Sequence, residues 1–357
     1  MTLPKRERAA MFEGERDSAE WRETVYMLSD KGANAMTVLG GVDIGGTKCA
    51  VSLGAVKDGG VEVIAKTQFP TPPTPEEAIA KLRGAMERLI AERPAERPAA
   101  IGISCGGPLD SRTGFILSPP NLPHWDKIDV VTPLRDAFGV PVGLQNDANA
   151  CALAEWKWGA GRGTRNMVFL TFGTGMGAGL ILDGKLYAGT NDMAGELGHI
   201  RLEADGPVGY GKAGSFEGFC SGGGIAQLAR AMAEEAIRAG RPPAFCPTAE
   251  GLGGITTKAV GEAAERGDPL ALDVFHTVGR KLGRGLAMIV DLLNPERIVI
   301  GSIYGRQRSI LEPITLEELE KEALPISLRV CRVVPAGLGE QVGDLASLSV
   351  ALNTLEA

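Results

Sequence analysis

The chain has 357 residues and a formal net charge of −7, with 44% hydrophobic residues, 23% charged residues and 49 glycines. This composition excludes wholesale disorder, and the length predicts about two domains. An acidic chain without a block of lysine or arginine is a poor candidate for binding nucleic acid. Because the sequence has no run of about 18 apolar residues, we expect no membrane span.

The first predicted segment is a charged N-terminal extension over residues 1–36, which carries six lysines and arginines and seven aspartates and glutamates. Ser18 to Tyr26 could form a helix, but no helical period runs through the segment. We expect a loosely ordered extension, or a gene start placed too early with Met36 as the true beginning. The segment has no apolar core typical of a secretory signal, so we expect a cytoplasmic protein.

After the extension, predicted strands alternate with predicted helices, which indicates an α/β protein with mixed sheets. Thr74 and Pro75 are typical of an N-cap followed by the first helical residue. Gly283 and Gly285 interrupt the longest helix and indicate close helix packing. We predict an irregular stretch up to Ser221. The predicted strands are 37–44, 49–56, 61–69, 99–104, 142–145, 167–172, 297–300 and 327–334, with a hairpin over 180–187. The predicted helices are 75–92, 147–158, 222–239, 256–265, 269–293 and 340–353.

The six cysteines are scattered and include no CxxC pair. We expect them to be small buried side chains in a reducing compartment, and not a disulfide framework or a thiolate metal site.

Two segments 128 residues apart share one pattern: the strand that contains Asp43 and the strand that contains Thr171 both lead into a turn rich in glycine and threonine. Each turn is followed by a second apolar strand. The repeat predicts two domains of similar topology, each with one glycine-rich hairpin at a shared cleft. Chance could also produce the match, because hairpins with glycine turns are common.

The glycine turns are suited to binding phosphate. A strand that ends in Gly45-Gly46-Thr47-Lys48 can present several backbone N–H groups together, as can the turn at Gly173-Thr174-Gly175. The threonine hydroxyls add donors. Asp43 lies at the end of the first strand and could hold Mg²⁺ through water.

Two familiar nucleotide motifs are excluded. Residues 41–48 lack the spacing of a Walker phosphate loop. Residues 173–178 satisfy the pattern GxGxxA, but they lead into an apolar strand where a dinucleotide-binding fold requires a helix.

Asp147 follows a strand and opens a helix, so it could be a catalytic base or only an N-cap. Phosphoryl transfer demands little basicity from the aspartate that accepts the hydroxyl proton. A second polar cluster contains Glu196, His199 and, beyond them, Glu217. Alone, His199 could be a structural histidine, and the proline-rich loop around Asn121 could be a simple turn.

Together these motifs resemble the ROK family of sugar kinases and sugar-responsive repressors, in the actin-like/hexokinase ATPase superfamily. The resemblance covers roughly residues 38–350. It is carried by the following segments: Asp43-Ile44-Gly45-Gly46-Thr47-Lys48, Pro119-Pro120-Asn121-Leu122, Asn146-Asp147-Ala148-Asn149-Ala150, Gly173 to Gly179, Gly195-Glu196-Leu197-Gly198-His199 and Arg297 to Gly301.

The resemblance implies two ribonuclease H-like domains with mixed sheets on either side of a central cleft. The smaller would comprise residues 37–149 with 341–357, and the larger residues 150–340. It implies an ATP-dependent hexose kinase with Asp147 as general base for the sugar 6-hydroxyl, and a homodimer. Asp43 and the two glycine turns would bind the phosphates of MgATP, and Gly301 would face the adenosine. Five residues would hold the sugar hydroxyls: Asn121, Asn146, Glu196, His199 and Glu217.

One departure from the family concerns zinc. Members usually carry a CxCGxxGCxE segment whose three cysteines bind zinc together with a histidine. Here Val208, Tyr210 and Ser215 stand in place of the cysteines, and none is a good zinc ligand. We therefore predict no structural zinc, with Tyr210 and Phe216 packing the loop instead. The resemblance leaves the sugar open, although glucose is the default.

The alternative function is that of a sugar-sensing transcriptional regulator without kinase activity. Regulators of the family carry a winged-helix domain before the kinase-like core. Only about 36 residues precede the first predicted strand, without a helix-turn-helix pattern, and Asp147 is present. Both features favour the kinase.

Overall fold

The computed structural model describes residues 36–357, so the predicted extension lies outside the described residues except for Met36. In chain order the strands are β1 (Thr37–Ile44), β2 (Lys48–Lys57), β3 (Gly60–Pro70), β4 (Ile101–Cys105), β5 (Leu109–Asp110), β6 (Phe115–Leu117), β7 (Asp126–Asp129), β8 (Val142–Asn146), β9 (Met167–Leu170), β10 (Ala178–Leu182), β11 (Lys185–Leu186), β12 (Val208–Gly209), β13 (Lys212–Ala213), β14 (Arg297–Ile300) and β15 (Arg332–Pro335).

The helices, again in chain order, are α1 (Pro75–Glu92), α2 (Thr132–Phe138), α3 (Asp147–Trp158), α4 (Phe216–Phe219), α5 (Gly222–Arg238), α6 (Thr257–Glu265), α7 (Pro269–Leu293), α8 (Ile303–Arg306), α9 (Arg308–Glu322), α10 (Pro325–Leu328) and α11 (Val342–Glu356). Among these helices, none is both long and apolar enough to cross a bilayer.

Two five-stranded sheets share the same topology. Their strand orders are β3-β2-β1-β4-β8 and β11-β10-β9-β14-β15. In each sheet the first three strands pair antiparallel and the last two add in parallel. The internal repeat predicted from the two glycine turns is therefore confirmed, and the fold is a pair of ribonuclease H-like units.

Each sheet has its own hydrophobic core. The first sheet packs with α1 and with a three-stranded ladder of β5, β6 and β7; we call this assembly the first half. The second sheet packs with α5, α6, α7 and α9, and we call it the second half. Smaller clusters contain residues of α3 and α11, which lie between the two sheets. The domain boundaries at residues 149, 150, 340 and 341 stay a prediction.

Three glycines in the first sheet allow α11 to pack closely against it. A Cβ atom at Gly41 would collide with Ser347, one at Gly102 with the backbone of the same helix, and one at Gly143 with Thr354. Because these strand positions lack side chains, the helix backbone approaches the sheet closely. The contact between these strand glycines and α11 was not predicted from the sequence.

Local capping explains why several helices begin where the sequence predicts. At the start of α1, the Thr74 hydroxyl accepts a hydrogen bond from the Glu77 N–H at 3.3 Å, and Pro75 occupies the first turn. Asp268 caps α7 in the same way. In α7, Gly285 faces the ring of Phe216 closely enough that a Cβ would collide with it, which confirms the predicted close packing.

Four predictions were wrong or incomplete. The strand predicted at 327–334 is instead α10 followed by β15, because Pro325 opens a short helix. Helices α8 and α9 were missed; Pro313 lies inside α9 and its apolar residues form a weak pattern. The irregular stretch before Ser221 contains the β12–β13 hairpin and α4. Between β4 and β8, where no strand or helix was predicted, the structure has β5, β6, β7 and α2.

All six cysteines are free; five are buried and Cys151 is partly buried. The prediction that they are small buried side chains is confirmed for these five.

Candidate active site

The first hairpin, β1 with β2, turns at Gly45 to Thr47 (the first turn). The Gly45 N–H donates to the carbonyl of Lys48 at 3.1 Å, and the Thr71 hydroxyl donates to the carbonyl of Gly45 at 2.6 Å. A Cβ at Gly46 would collide with the carbonyl of Asn121. The first turn is thus fixed from both sides.

The second hairpin, β9 with β10, turns at Gly173 to Gly177 (the second turn). Here the Gly177 N–H donates to the hydroxyl of Thr171 at 2.8 Å, and the carbonyl of Gly173 accepts from the Gly222 N–H at 2.7 Å. The chain continues into β10, so the exclusion of a dinucleotide-binding fold is confirmed.

A cavity between the two halves, which we call the first cavity, brings five of the predicted site residues together: Asn146, Asp147, Glu196, His199 and Glu217 all line it. Met176 and Gly177 of the second turn form part of its wall. Asn121 does not line this cavity and lies against Gly46 instead.

Asp147 is the first residue of α3, and the N-cap is Asn146, whose side-chain oxygen accepts from the Asn149 N–H at 2.7 Å. The alternative that Asp147 is itself the N-cap was therefore wrong. Its carboxylate is open to the cleft and accepts the Ala148 N–H at 2.8 Å. The surrounding protein raises its pKa by desolvation, while the backbone N–H groups lower it. The net increase makes it a better proton acceptor than an ordinary aspartate.

Asp43 lies at the end of β1, close enough to Asp147 for the two charges to interact. Desolvation by burial, with repulsion from Asp147 as the next cause, raises the pKa of Asp43 to about 6. Lys48 acts in the opposite direction. A carboxylate held among acidic neighbours gains from a cation, and carboxylate oxygen is a ligand that Mg²⁺ prefers.

Glu217 connects the first cavity to the second turn. Its Oε2 atom accepts the backbone N–H of Met176 at 3.0 Å. Across the cavity, burial and then the charge of Glu217 raise the pKa of Glu196. A group bound by both carboxylates would therefore be a hydrogen-bond donor, as a sugar hydroxyl is.

A second cavity lies on the other side of the second turn. Gly173 and Thr174 form one wall, and Gly222 and Gly223 at the start of α5 form another. Charged and polar side chains from α6, from α8 and from the residue after α8 also line it: Thr257, Lys258, Glu262, Glu265, Arg306 and Gln307. The sequence did not connect these segments with function. Gly301 borders an adjoining cavity, which shares Ser302 and Arg306 with the second cavity.

The ROK family model matches residues 39–353 of the chain. The chain belongs to the ROK family. It is similar to the glucokinase of Streptomyces coelicolor, with 32% identity over 87% of this chain and 96% of the relative. It is also similar to the DNA-binding transcriptional repressor Mlc of Escherichia coli, with 31% identity over 66% of this chain and 56% of the repressor.

Among solved structures, a ROK family glucokinase from Streptomyces griseus in complex with glucose and AMPPNP is similar to this chain. The TM-score is 0.68 at 30% identity, and the match covers 89% of this chain and 99% of the other. The actin-like ATPase fold expected from the motifs is thereby confirmed.

The loop where the family resemblance implies a zinc site has different side chains here, and they do not fit the metal. Ser215 is fully buried and caps α4, accepting the Gly218 N–H at 3.0 Å. Val208 is held through both its N–H and its carbonyl by the side chain of Gln227, at 3.0 Å each. Over residues 36–357, no three His, Cys, Asp or Glu side chains converge as a metal site would require.

Tyr210 and Phe216 behave differently from each other. Phe216 is fully buried, as expected for a residue that packs the loop. Tyr210 is 74% exposed, at the apex of the β12–β13 turn, with its ring edge-on to His199 at a centroid distance of 6.3 Å. The expectation that Tyr210 packs the loop was wrong. The turn has positive φ at both Tyr210 and Gly211, and Tyr210 lines the first cavity.

Proposed function

We propose that the protein transfers the terminal phosphoryl group of ATP to the 6-hydroxyl of a hexose, with Asp147 as the general base. One observation carries this proposal: the second turn is a wall of two cavities at once. Gly173 and Thr174 face the second cavity, whereas Met176 and Gly177 face the first. A nucleotide in the second cavity would extend its phosphates along the turn toward a sugar beside Asp147.

In the proposed reaction, Asp147 orients the 6-hydroxyl and accepts its proton as the oxygen attacks the terminal phosphorus and the bond to ADP breaks. The raised pKa of the carboxyl favours proton acceptance, and its place at the start of α3 fixes its orientation. Asn146, Glu196, His199 and Glu217 would hold the other hydroxyls, and Asn121 would contribute from beside the first turn.

The phosphates would lie between the two glycine turns, bound by Gly45, Gly46, Thr47, Lys48, Gly173, Thr174 and Gly175. Asp43 fits a role beside Mg²⁺, because its carboxylate lies among acidic neighbours. When bound, the magnesium would neutralise charge on the phosphates. Gly301 would face the adenosine. Structural zinc forms no part of the proposal.

Glucokinase relatives support this proposal, and glucose is accordingly the first sugar to test. We further propose that the protein is a cytoplasmic homodimer, and that residues 37–149 with 341–357 close against residues 150–340 around the substrates. The similarity to Mlc supports a second candidate function, that of a sugar-sensing regulator.

The test is an assay of ADP release with Mg²⁺ and ATP across glucose, mannose, fructose, allose, N-acetylglucosamine and N-acetylmannosamine. We expect turnover of at least one sugar above the rate of ATP hydrolysis without sugar. If no sugar is turned over although calorimetry detects sugar binding, the kinase proposal fails and the regulator is favoured.

A further inference from the structure

Asp192 makes a contact between the two halves that the proposed chemistry does not use. It lies in the loop after β11, in the second half, and is 7% exposed. Its Oδ2 atom accepts the backbone N–H of Ser111 at 2.8 Å, and its Oδ1 atom accepts the Ser111 hydroxyl at 2.7 Å. Ser111 belongs to the turn between β5 and β6, in the first half. Asp192 also lines the first cavity.

The Ser111 turn is held rigid within its own half. The Asp110 carboxylate accepts the backbone N–H groups of Arg112 at 3.0 Å and Thr113 at 3.1 Å. Arg112 adds a second contact between the halves, since its Nη2 atom donates to the carbonyl of Thr190 at 3.0 Å. Two short segments are thus joined by three hydrogen bonds.

The backbone of Asp192 is in the left-handed region, with φ of +60°. This conformation is unfavourable for a residue with a side chain, although aspartate adopts it more readily than most residues. The backbone alone therefore favours glycine at this position. The paired hydrogen bonds to Ser111 offset the cost.

Ser111 and Asp192 lie outside α3 and α11, the helices between the sheets. If the halves separate about those helices, the contact at the cavity must break. A hydrogen bond to a charged group is stronger than a neutral one, so the pair favours the closed arrangement. The apparent affinity of a cavity that forms only on closure is proportional to the closed fraction.

We propose that Asp192 and Ser111 form a latch that holds the two halves closed over the first cavity and thereby sets the affinity for the sugar. The inference rests on the proposed function. It makes Asp192 a positioning residue, because both of its oxygens are directed at Ser111. Breaking the latch should raise the KM for the sugar and leave kcat little changed, since the closed complex reacts as before.

Asp192→Gly is the most informative variant, because it removes both hydrogen bonds and also relieves the backbone strain, so that loss of folding is not expected. Asp183→Gly is its matched control: Asp183 also has positive φ, at +52°, but lies in the exposed β10–β11 turn and pairs with Arg165. Ser111→Ala removes only the hydroxyl bond and keeps the backbone one.

We expect the KM for the sugar to rise about tenfold in Asp192→Gly and by less in Ser111→Ala, with kcat within about twofold of wild type. Asp183→Gly should match wild type. An unchanged KM in Asp192→Gly would overturn the latch, and so would an equal fall in kcat and kcat/KM.

Small-angle X-ray scattering of the sugar-free proteins separates this inference from the proposed function. If the wild type phosphorylates no sugar, the proposed function fails. The radius of gyration then still shows whether Asp192 and Ser111 hold the two halves closed. A larger radius for Asp192→Gly than for wild type and Asp183→Gly supports the latch. Equal radii for all three proteins reject it.

Discussion

The first and second hairpins share a topology but carry different side chains at the cleft. The first has Asp43 at the end of β1, and 128 residues later the second has Thr171 after β9. Burial, together with repulsion from Asp147, raises the pKa of Asp43 to about 6. Thr171 instead stabilises its own turn, accepting the Gly177 N–H at 2.8 Å.

Under the proposed function, this difference would let one repeated unit serve two roles at the site. A carboxylate at both positions would repel the phosphates of a nucleotide, whereas a neutral turn offers them backbone N–H groups. The single acidic position can attract a cation that the phosphates also bind. We propose that the repeat supplies two phosphate-binding turns, and that Asp43 makes only the first suitable for Mg²⁺.

The largest expected effect on this comparison comes from Asp43→Asn. Removing the carboxylate should lower kcat/KM for MgATP by about 10²–10³-fold, the range typical of losing one preorganised electrostatic group in an active site. The matched variant is Thr171→Val, which removes a turn hydrogen bond but no charge. We expect kcat/KM for MgATP in Thr171→Val to fall by about tenfold or less.

Steady-state kinetics at saturating sugar measures both variants. Equal losses in Asp43→Asn and Thr171→Val would break the proposed distinction between the two hairpins.

The same substitution should change stability in the opposite direction. Because the folded protein raises the pKa of Asp43 from 3.8 to about 6, the folded state binds more protons between these values and stability falls as pH rises through them. Asp43→Asn should therefore stabilise the protein by up to about 3 kcal/mol above pH 6, and little below pH 4.

Urea unfolding at pH 7.5 and at pH 4 measures this difference. Thr171→Val is again the control and should show no stabilisation at either pH. If the free energy of unfolding of Asp43→Asn at pH 7.5 is lower than that of wild type, the ionised Asp43 carboxylate does not destabilise the folded protein.

A smaller effect should separate Glu217 from Glu196. Glu217→Gln weakens both the sugar site and the bond to Met176 in the second turn, so the KM values for sugar and ATP should both rise, the former by about tenfold. Glu196→Gln should raise the KM for the sugar alone. If the two variants leave the KM for ATP equally unchanged, Glu217 does not couple the second hairpin to the sugar.

The sequence predicted elements with strong local signals. Thr74 and Pro75 placed the start of α1, and the glycine turns predicted both hairpins. The resemblance of the motifs predicted Asp147, Glu196, His199 and Glu217 as site residues, and the structure places all four at one cavity. These signals are local, or depend on several ordered segments together.

Long-range contacts could not be predicted in this way. The bond between Ser111 and Asp192 joins residues 81 positions apart, and neither belongs to a motif. Helix α9 was missed because Pro313 hid its pattern. Arg306 and Gln307 reach the second cavity only because α8 and α9 fold beside it. Gly102 lets α11 approach the first sheet, and this contact depends on the tertiary arrangement of sheet and helix.

Asp147→Asn is the decisive test of whether the first cavity is a phosphoryl-transfer site with Asp147 as its base. The amide keeps the size of the side chain but cannot accept the hydroxyl proton. With the preferred sugar, we predict that kcat falls by about 10²–10⁴-fold, while the calorimetric Kd for the sugar stays within about threefold of wild type. If NMR shows that Asp147→Asn forms the hexose 6-phosphate at the wild-type rate, Asp147 is not the base.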